Sequence, residues 1–224
     1  LNPAAPTDLA TPGEVAEAAR IVAAAGLVEA FGHVSARAEN GFLITSTRPM
    51  GAAAADDIHL IDREGRAGDG AEDVPLETPL HAAIYESRPD VGAICRTHSP
   101  AAVAAGAAGS IPPLAHGLAG LAGEVKLSDR VDLVTNIEAA REVAGALGSA
   151  SCVLIRGNGS VAVGRNLAEA VVRARYLEER CLAGEGLKPG DALDAETLAI
   201  RSEWFEKEVV RAWAWMQWRY VGDS

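Results

Sequence analysis

An Asn-Gly pair at positions 40 and 41 separates two short β-forming stretches, Gly32-His33-Val34-Ser35-Ala36-Arg37 and Phe42-Leu43-Ile44. Asn-Gly supplies the positive φ angles of a tight hairpin, so the two stretches read as paired antiparallel strands. That excludes a purely parallel, doubly wound sheet, although helices and strands alternate along the rest of the chain. Thr11-Pro12-Gly13-Glu14 is a helix start with a capping box and an early proline. Ile58 to Ile61 is a short strand, and a helix over about Thr78 to Ser87 must end before Pro89. Ala93 to Thr97 is a strand, and Ser99-Pro100 opens the next helix. Thr135 with Glu138 forms a second capping box for a helix stopped by Gly148. Strands at Cys152–Ile155 and Val161–Val163 flank the turn Arg156-Gly157-Asn158-Gly159, and Asn166 with Glu169 starts a long helix through Leu182. The expected fold is a three-layer α/β/α domain around a central mixed, largely antiparallel sheet.

The 224 residues suit one domain, 1–224, with 1–10 as a flexible N-terminus and no internal repeat or linker. Hydrophobic residues at 49% and charged residues at 23% are enough for a packed core. A net charge of −11 without a basic cluster repels a phosphate backbone, so no nucleic-acid partner is expected. No apolar run reaches the roughly 20 residues of a membrane span, and Leu1 to Thr11 carries no positive charge ahead of a signal core. Cys95, Cys152 and Cys181 are odd in number and widely spaced. They read as buried thiols of a cytoplasmic protein.

Chemistry concentrates in Glu77-Thr78-Pro79-Leu80-His81 and Cys95-Arg96-Thr97-His98-Ser99-Pro100. Arg96 and His98 are two apart on a strand and project from one face. His98 also precedes a helix N-terminus whose free N–H groups favour anions. With Glu77, they form a carboxylate, imidazole and guanidinium set suited to proton transfer beside a stabilised anion. On spacing alone, an Arg–Glu ion pair beside a partly buried imidazole is the plainer reading. His81 falls one turn after Glu77 and reads as a brace for it, and His59 as a solvent-face strand residue.

The ordered set Gly32-His33-Val34-Ser35-x-Arg37, Glu77-x-x-x-His81-x-x-x-Tyr85, Arg88-Pro89-Asp90, Thr97-His98-Ser99-Pro100 and Arg156-Gly157-Asn158-Gly159 resembles the class II aldolase/adducin family. The resemblance continues through Asn166-Leu167-x-Glu169-Ala170 and Tyr176-Leu177-Glu178, covering about residues 12 to 182. It implies an α/β/α domain, usually tetrameric, with a divalent metal held by three histidines. Of those three positions this chain has Arg96, His98 and Asn158. Arginine has only donors and cannot ligate a cation. The favoured expectation is therefore no tightly bound cofactor, with Arg96 standing in for the metal's charge. The alternative is a retained divalent metal (Zn, Fe or Mn) on His98, Glu77 and Asn158.

The family's phosphate-using members carry a Ser-Ser pair immediately before the glutamate, where this chain has Pro75-Leu76. The resemblance therefore implies a small carboxylate or hydroxy-carbonyl substrate, and Gly32-His33 resembles the decarboxylase and oxygenase branches. The expected activity is a lyase: aldol cleavage or condensation, or decarboxylation, through an enolate. A non-haem iron oxygenase and a non-catalytic scaffold are the alternatives. Glu77, Arg96 and His98 are the expected catalytic residues, and His33, Ser35, Arg37, Thr45, Ser46, His116 and Tyr220 the expected substrate-binding set. Trp204, Trp213, Trp215 and Trp218 crowd the last helix, 195–220, which is expected at the subunit interface of a homo-oligomer, a tetramer by resemblance.

Overall fold

Strand β1 (His33–Ala38) sends Val34 and Ala36 to one side of the sheet and His33, Ser35 and Arg37 to the other. The two sides become the two inner layers of a computed structural model that describes residues 9–63, 65–68, 71–194, 196–197 and 205–222. The strands β1, β2 (Gly41–Thr45), β3 (Ile58–Ile61), β4 (Ala93–Thr97), β5 (Val125–Ser128), β6 (Cys152–Ile155) and β7 (Ser160–Gly164) form one sheet in the order β3-β2-β1-β4-β7-β6-β5. Only β5 and β6 pair in parallel, so the sheet is mixed and largely antiparallel as expected.

On one face lie α1 (Pro12–Ala24), α3 (Pro100–Ala107), α5 (Leu167–Ala183) and α6 (Phe205–Tyr220). They bury Val34, Ala36, Cys95, Cys152, Leu154 and Ala162 of the strands. The other face carries α2 (Thr78–Ser87) and α4 (Ile137–Leu147) over Phe42, Ile44, Ile94, Val153, Ile155 and Val161. The three-layer reading holds.

The Thr11 capping box closes as the sequence predicts. For α4 the cap shifts by one residue: Asn136, not Thr135, accepts the Ala139 N–H. Strand β5, with polar Lys126 in its four residues, was not expected from the sequence. The last helix is described over Phe205–Tyr220, and positions 195 and 198–204, including Trp204, lie outside the described residues, as do 1–8. The Arg88-Pro89-Asp90 motif has a structural use. Arg88 pairs with Asp90 and donates to the carbonyls of Gly148 and Ala150, tying the end of α2 to the end of α4.

Candidate active site

One end of the sheet gathers the start of β1, the end of β4 and the start of β7, because β4 runs antiparallel to both. Two glycines allow the approach. A Cβ on Gly32 would meet Val28 and come within 2.9 Å of the Arg96 carbonyl oxygen. One on Gly159, at φ +76°, would overlap the Thr97 carbonyl and reach 2.7 Å from Arg96 Nη1.

Arg96 is fully buried. Its Nε donates to Glu77 Oε2 at 3.0 Å and its Nη2 to Oε1 at 3.4 Å, a forked ion pair. Nη1 donates to the Thr97 carbonyl at 2.9 Å and to Ser160 O at 3.4 Å. The Val134 N–H also reaches Glu77 Oε1, at 3.2 Å. The guanidinium is therefore spent on Glu77 and the backbone. Burial pulls its pKa down, and the facing carboxylate opposes that.

His98 is half-buried, and its Nε2 lies 3.2 Å from the Asn158 side-chain amide. Its pKa is lowered, first by burial and then by the Arg96 charge, with Asn158, Glu77 and the Phe31 carbonyl opposing. His98 Nδ1, Asn158 Nδ2 and Ser99 Oγ are buried atoms without a hydrogen-bond partner of good geometry. Unmatched buried polar atoms are uncommon, and three lie together at this strand end.

The expected anion cradle at α3 is filled from within. Ala101 N–H and Ala102 N–H both donate, at 2.9 Å, to the Glu178 carboxylate of α5. That corrects the sequence reading, since the amides ahead of His98 are not free.

His33 stands on the same face as Arg96, with Nε2 3.7 Å from Glu77 Oε2. Ser35 is buried behind it and bonds His81 and Tyr85. Arg37 is not brought to this end. Its donors go to the carbonyls of Tyr85 in the last turn of α2 and of Arg88 and Val91 beyond it, and its guanidinium covers the Tyr85 ring. Thr45 Oγ1 accepts the Val34 N–H and Ser46 Oγ the Arg48 N–H, so both hydroxyls serve the backbone near the start of β1. His116 faces Glu179 of α5 at 3.7 Å, and Tyr220 packs edge-on against Trp215 in α6. His59 pairs with Asp73 at 2.7 Å, so it is a tethered residue on β3.

The donor set does not fit a three-ligand metal. Among the described residues no three His, Cys, Asp or Glu side chains are placed to hold a metal ion: His33 and His81 bond each other, and the carboxylate nearest His98 is committed to Arg96.

Residues 13–183 match the class II aldolase and adducin N-terminal domain. The chain belongs to that family. It is 34% identical over 173 residues to a 3,4-dihydroxyphthalate decarboxylase of Arthrobacter keyseri, covering 70% of this chain and 69% of that one. A 5-methylthioribulose-1-phosphate/5-deoxyribulose-1-phosphate aldolase of Rhodospirillum rubrum is 33% identical over 177 residues, covering 73% and 78%. An aldolase II superfamily protein from Pseudomonas syringae shares the fold, with a TM-score of 0.76 at 20% identity over 92% of this chain and 90% of the other. With decarboxylases and aldolases as relatives, this class II aldolase family member is a lyase-type enzyme, as the sequence predicts.

Proposed function

We propose that this chain is a decarboxylase acting on a small hydroxylated carboxylate, of the aromatic kind named for its decarboxylase relatives. The observation that carries the reading is the buried Arg96–Glu77 fork beside a His98–Asn158 pair that keeps polar atoms without partners. The fork sets a fixed ion pair where the family's metal would supply charge. The pair leaves His98 Nδ1 and Asn158 Nδ2 without partners, which in this proposal meet substrate oxygens. Pro75 and Leu76 offer no side-chain donor, and Glu178 fills the α3 amides, so a phosphate has little to bind there. Relatives of the 3,4-dihydroxyphthalate decarboxylase type also come from Terrabacter, at 36% identity over 64% of this chain and 66% of that one.

In the proposed reaction a hydroxyl next to the carboxylate-bearing carbon supplies electrons, and that carbon accepts a proton. The bond to the carboxylate then breaks, its electron pair returns to the ring, and carbon dioxide leaves. One proton is consumed per turnover. His98 is partly exposed and can reload from solvent, so it is the proposed proton donor. Glu77 is held by Arg96 and orients the substrate's hydroxyl, and Asn158 holds His98 and a substrate oxygen. Here Arg96 acts through Glu77, whereas the sequence pointed to direct contact with substrate. The chain works in this proposal without the three-histidine metal centre, because of the donor set described above.

Assembly as a homotetramer is part of the same proposal. Val210, Trp215 and Trp218 of α6 are exposed apolar side chains, the kind that interfaces cover. Among the described residues no helix is long and apolar enough to cross a membrane. A cytoplasmic location is proposed on the three buried, unpaired cysteines.

The test is carbon dioxide release from 3,4-dihydroxyphthalate and simpler dihydroxybenzoates by purified protein, with and without chelator. Turnover that survives chelation supports the proposal. Inactivity on every aromatic carboxylate, together with cleavage of a sugar phosphate, would sink it.

A further inference from the structure

Behind the site runs a line of buried side chains that the chemistry above does not use. Tyr85 Oη lies 2.8 Å from Ser35 Oγ, and Ser35 Oγ lies 2.7 Å from His81 Nδ1. His81 Nε2 in turn lies 2.9 Å from His33 Nδ1, and His33 Nε2 faces Glu77. Tyr85 is 7% exposed, Ser35 and His81 0%, and His33 7%.

Each hydroxyl and each neutral imidazole owns one such proton, and a Ser35 that accepted from both His81 and Tyr85 would leave its own proton without an acceptor among the described residues, so the line runs one way or the other. In the first direction Tyr85 donates to Ser35, Ser35 to His81 Nδ1, and His81 Nε2–H to His33 Nδ1. His33 then keeps its proton on Nε2, pointing at the Glu77 carboxylate. In the reverse direction His33 turns a lone pair on that carboxylate. The Tyr85 proton then has no acceptor, because Ser35 Oγ is its one hydrogen-bond partner among the described residues. Both ends of the line select the first direction. Burial holds both rings neutral, helped for His33 by its neighbour His81 and for both by the Arg96 charge.

We propose that Tyr85, Ser35 and His81 are positioning residues that fix His33 as its Nε2–H tautomer, so that it offers one N–H to an anionic oxygen of the substrate bound beside Glu77. The 3.7 Å separation from Glu77 is too long for a direct hydrogen bond, which leaves that N–H unclaimed. A fixed donor at this point selects a carboxylate or phenolate oxygen over a group that must itself donate. Ser35, expected from the sequence to touch substrate, acts instead through His81 and His33. The use of the N–H in catalysis rests on the decarboxylase proposal. The tautomer does not.

The experiment is long-range proton–nitrogen correlation NMR on the full chain carrying nitrogen-15 histidine, at neutral pH and without substrate. His59→Gln and His116→Gln variants remove two of the five signals, His33→Gln and His98→Gln identify two more, and the last is His81. The expected spectrum shows His33 and His81 both protonated on Nε2 alone. In Ser35→Ala, His81 loses the donor to Nδ1, and both rings shift towards mixed tautomers. Nδ1–H or an imidazolium at either ring in the native chain overturns the proposal, as do unchanged tautomers in Ser35→Ala. Should Ser35→Ala not fold, the native spectrum decides by itself. Inactivity on aromatic carboxylates with the expected spectrum would strike the decarboxylase proposal and leave the relay standing.

Discussion

His33 sits directly opposite Arg96 in the β1–β4 ladder. The pairing puts an imidazole and a guanidinium on one face of the sheet, both turned to Glu77 at the start of α2. One carboxylate is thus approached from two strands, and what happens to either neighbour is felt through it.

Arg96→Met removes the cation and leaves Glu77 buried without its partner. Breaking a buried pair this way costs about 3–5 kcal/mol. Urea unfolding of the variant should show that loss, with activity gone as well. A stability within about 0.5 kcal/mol of the native chain, the range of ordinary surface changes, would show that the fork contributes nothing.

Restoring imidazoles should restore metal binding. The double variant Arg96→His with Asn158→His places two new rings beside His98, giving the three nitrogen ligands that zinc favours. Elemental analysis and zinc titration should find close to one ion per chain, and far weaker binding in the native protein. Stoichiometric zinc on the native chain contradicts the reading of the donor set.

Stability should fall with acid. His81 is held at about 3 against an ordinary 6.5, and His33 is lowered in the same direction, in each case chiefly by burial. Both rings are neutral when folded and take up protons near pH 6.5 when unfolded, so below that pH the unfolded chain binds more protons. Their contribution is complete above about pH 6.5 and shrinks as pH falls below it, for His81 down to about 3. Denaturation midpoints measured across this range should show the slope. His81→Gln should flatten it, and an equally steep profile in that variant would rule this origin out.

Gly159→Ala tests the close approach at the turn. A side chain there must adopt a left-handed φ and displace the Thr97 carbonyl or the Arg96 guanidinium. The expected loss is about 2–4 kcal/mol from the two effects together. Calorimetry on this variant and on Gly157→Ala, whose added Cβ meets nothing within 4 Å, separates crowding from backbone conformation.

His98→Gln keeps an amide near Asn158 but cannot shuttle a proton. Turnover should fall about 10²–10⁴-fold with little change in stability. A variant retaining full turnover would assign the proton to another group.

The layering was legible because period-two alternation in β1 and the Asn40-Gly41 turn are strong local signals. The same alternation placed Arg96 and His98 on one face, yet it says nothing of where a guanidinium ends. Arg96 turns back to Glu77 and the Thr97 carbonyl because a fully buried cation must satisfy its donors. The filling of the α3 amides by Glu178 depends on a contact 77 positions away in the chain, which no local pattern announces. The His33–His81 link was hidden for a similar reason. His81 looked like a brace for Glu77, and only the packing of α2 on β1 shows that it bonds His33 and Ser35 instead. Strand β5 offered four residues and one lysine, too little to stand out.

Because β1 meets β4 and β4 meets β7, the parts of the site arrive at very different times as the chain is made. The hairpin and α2 are synthesised early, while Asn158 and Gly159 come much later. Pairings between distant segments are slow to form. A nascent chain halted before β7 would therefore hold Glu77 and Arg96 without the turn that seals over them. Completion of this end of the sheet waits on the last central strand, so the ion pair, His98 and the turn come together only once that strand has paired.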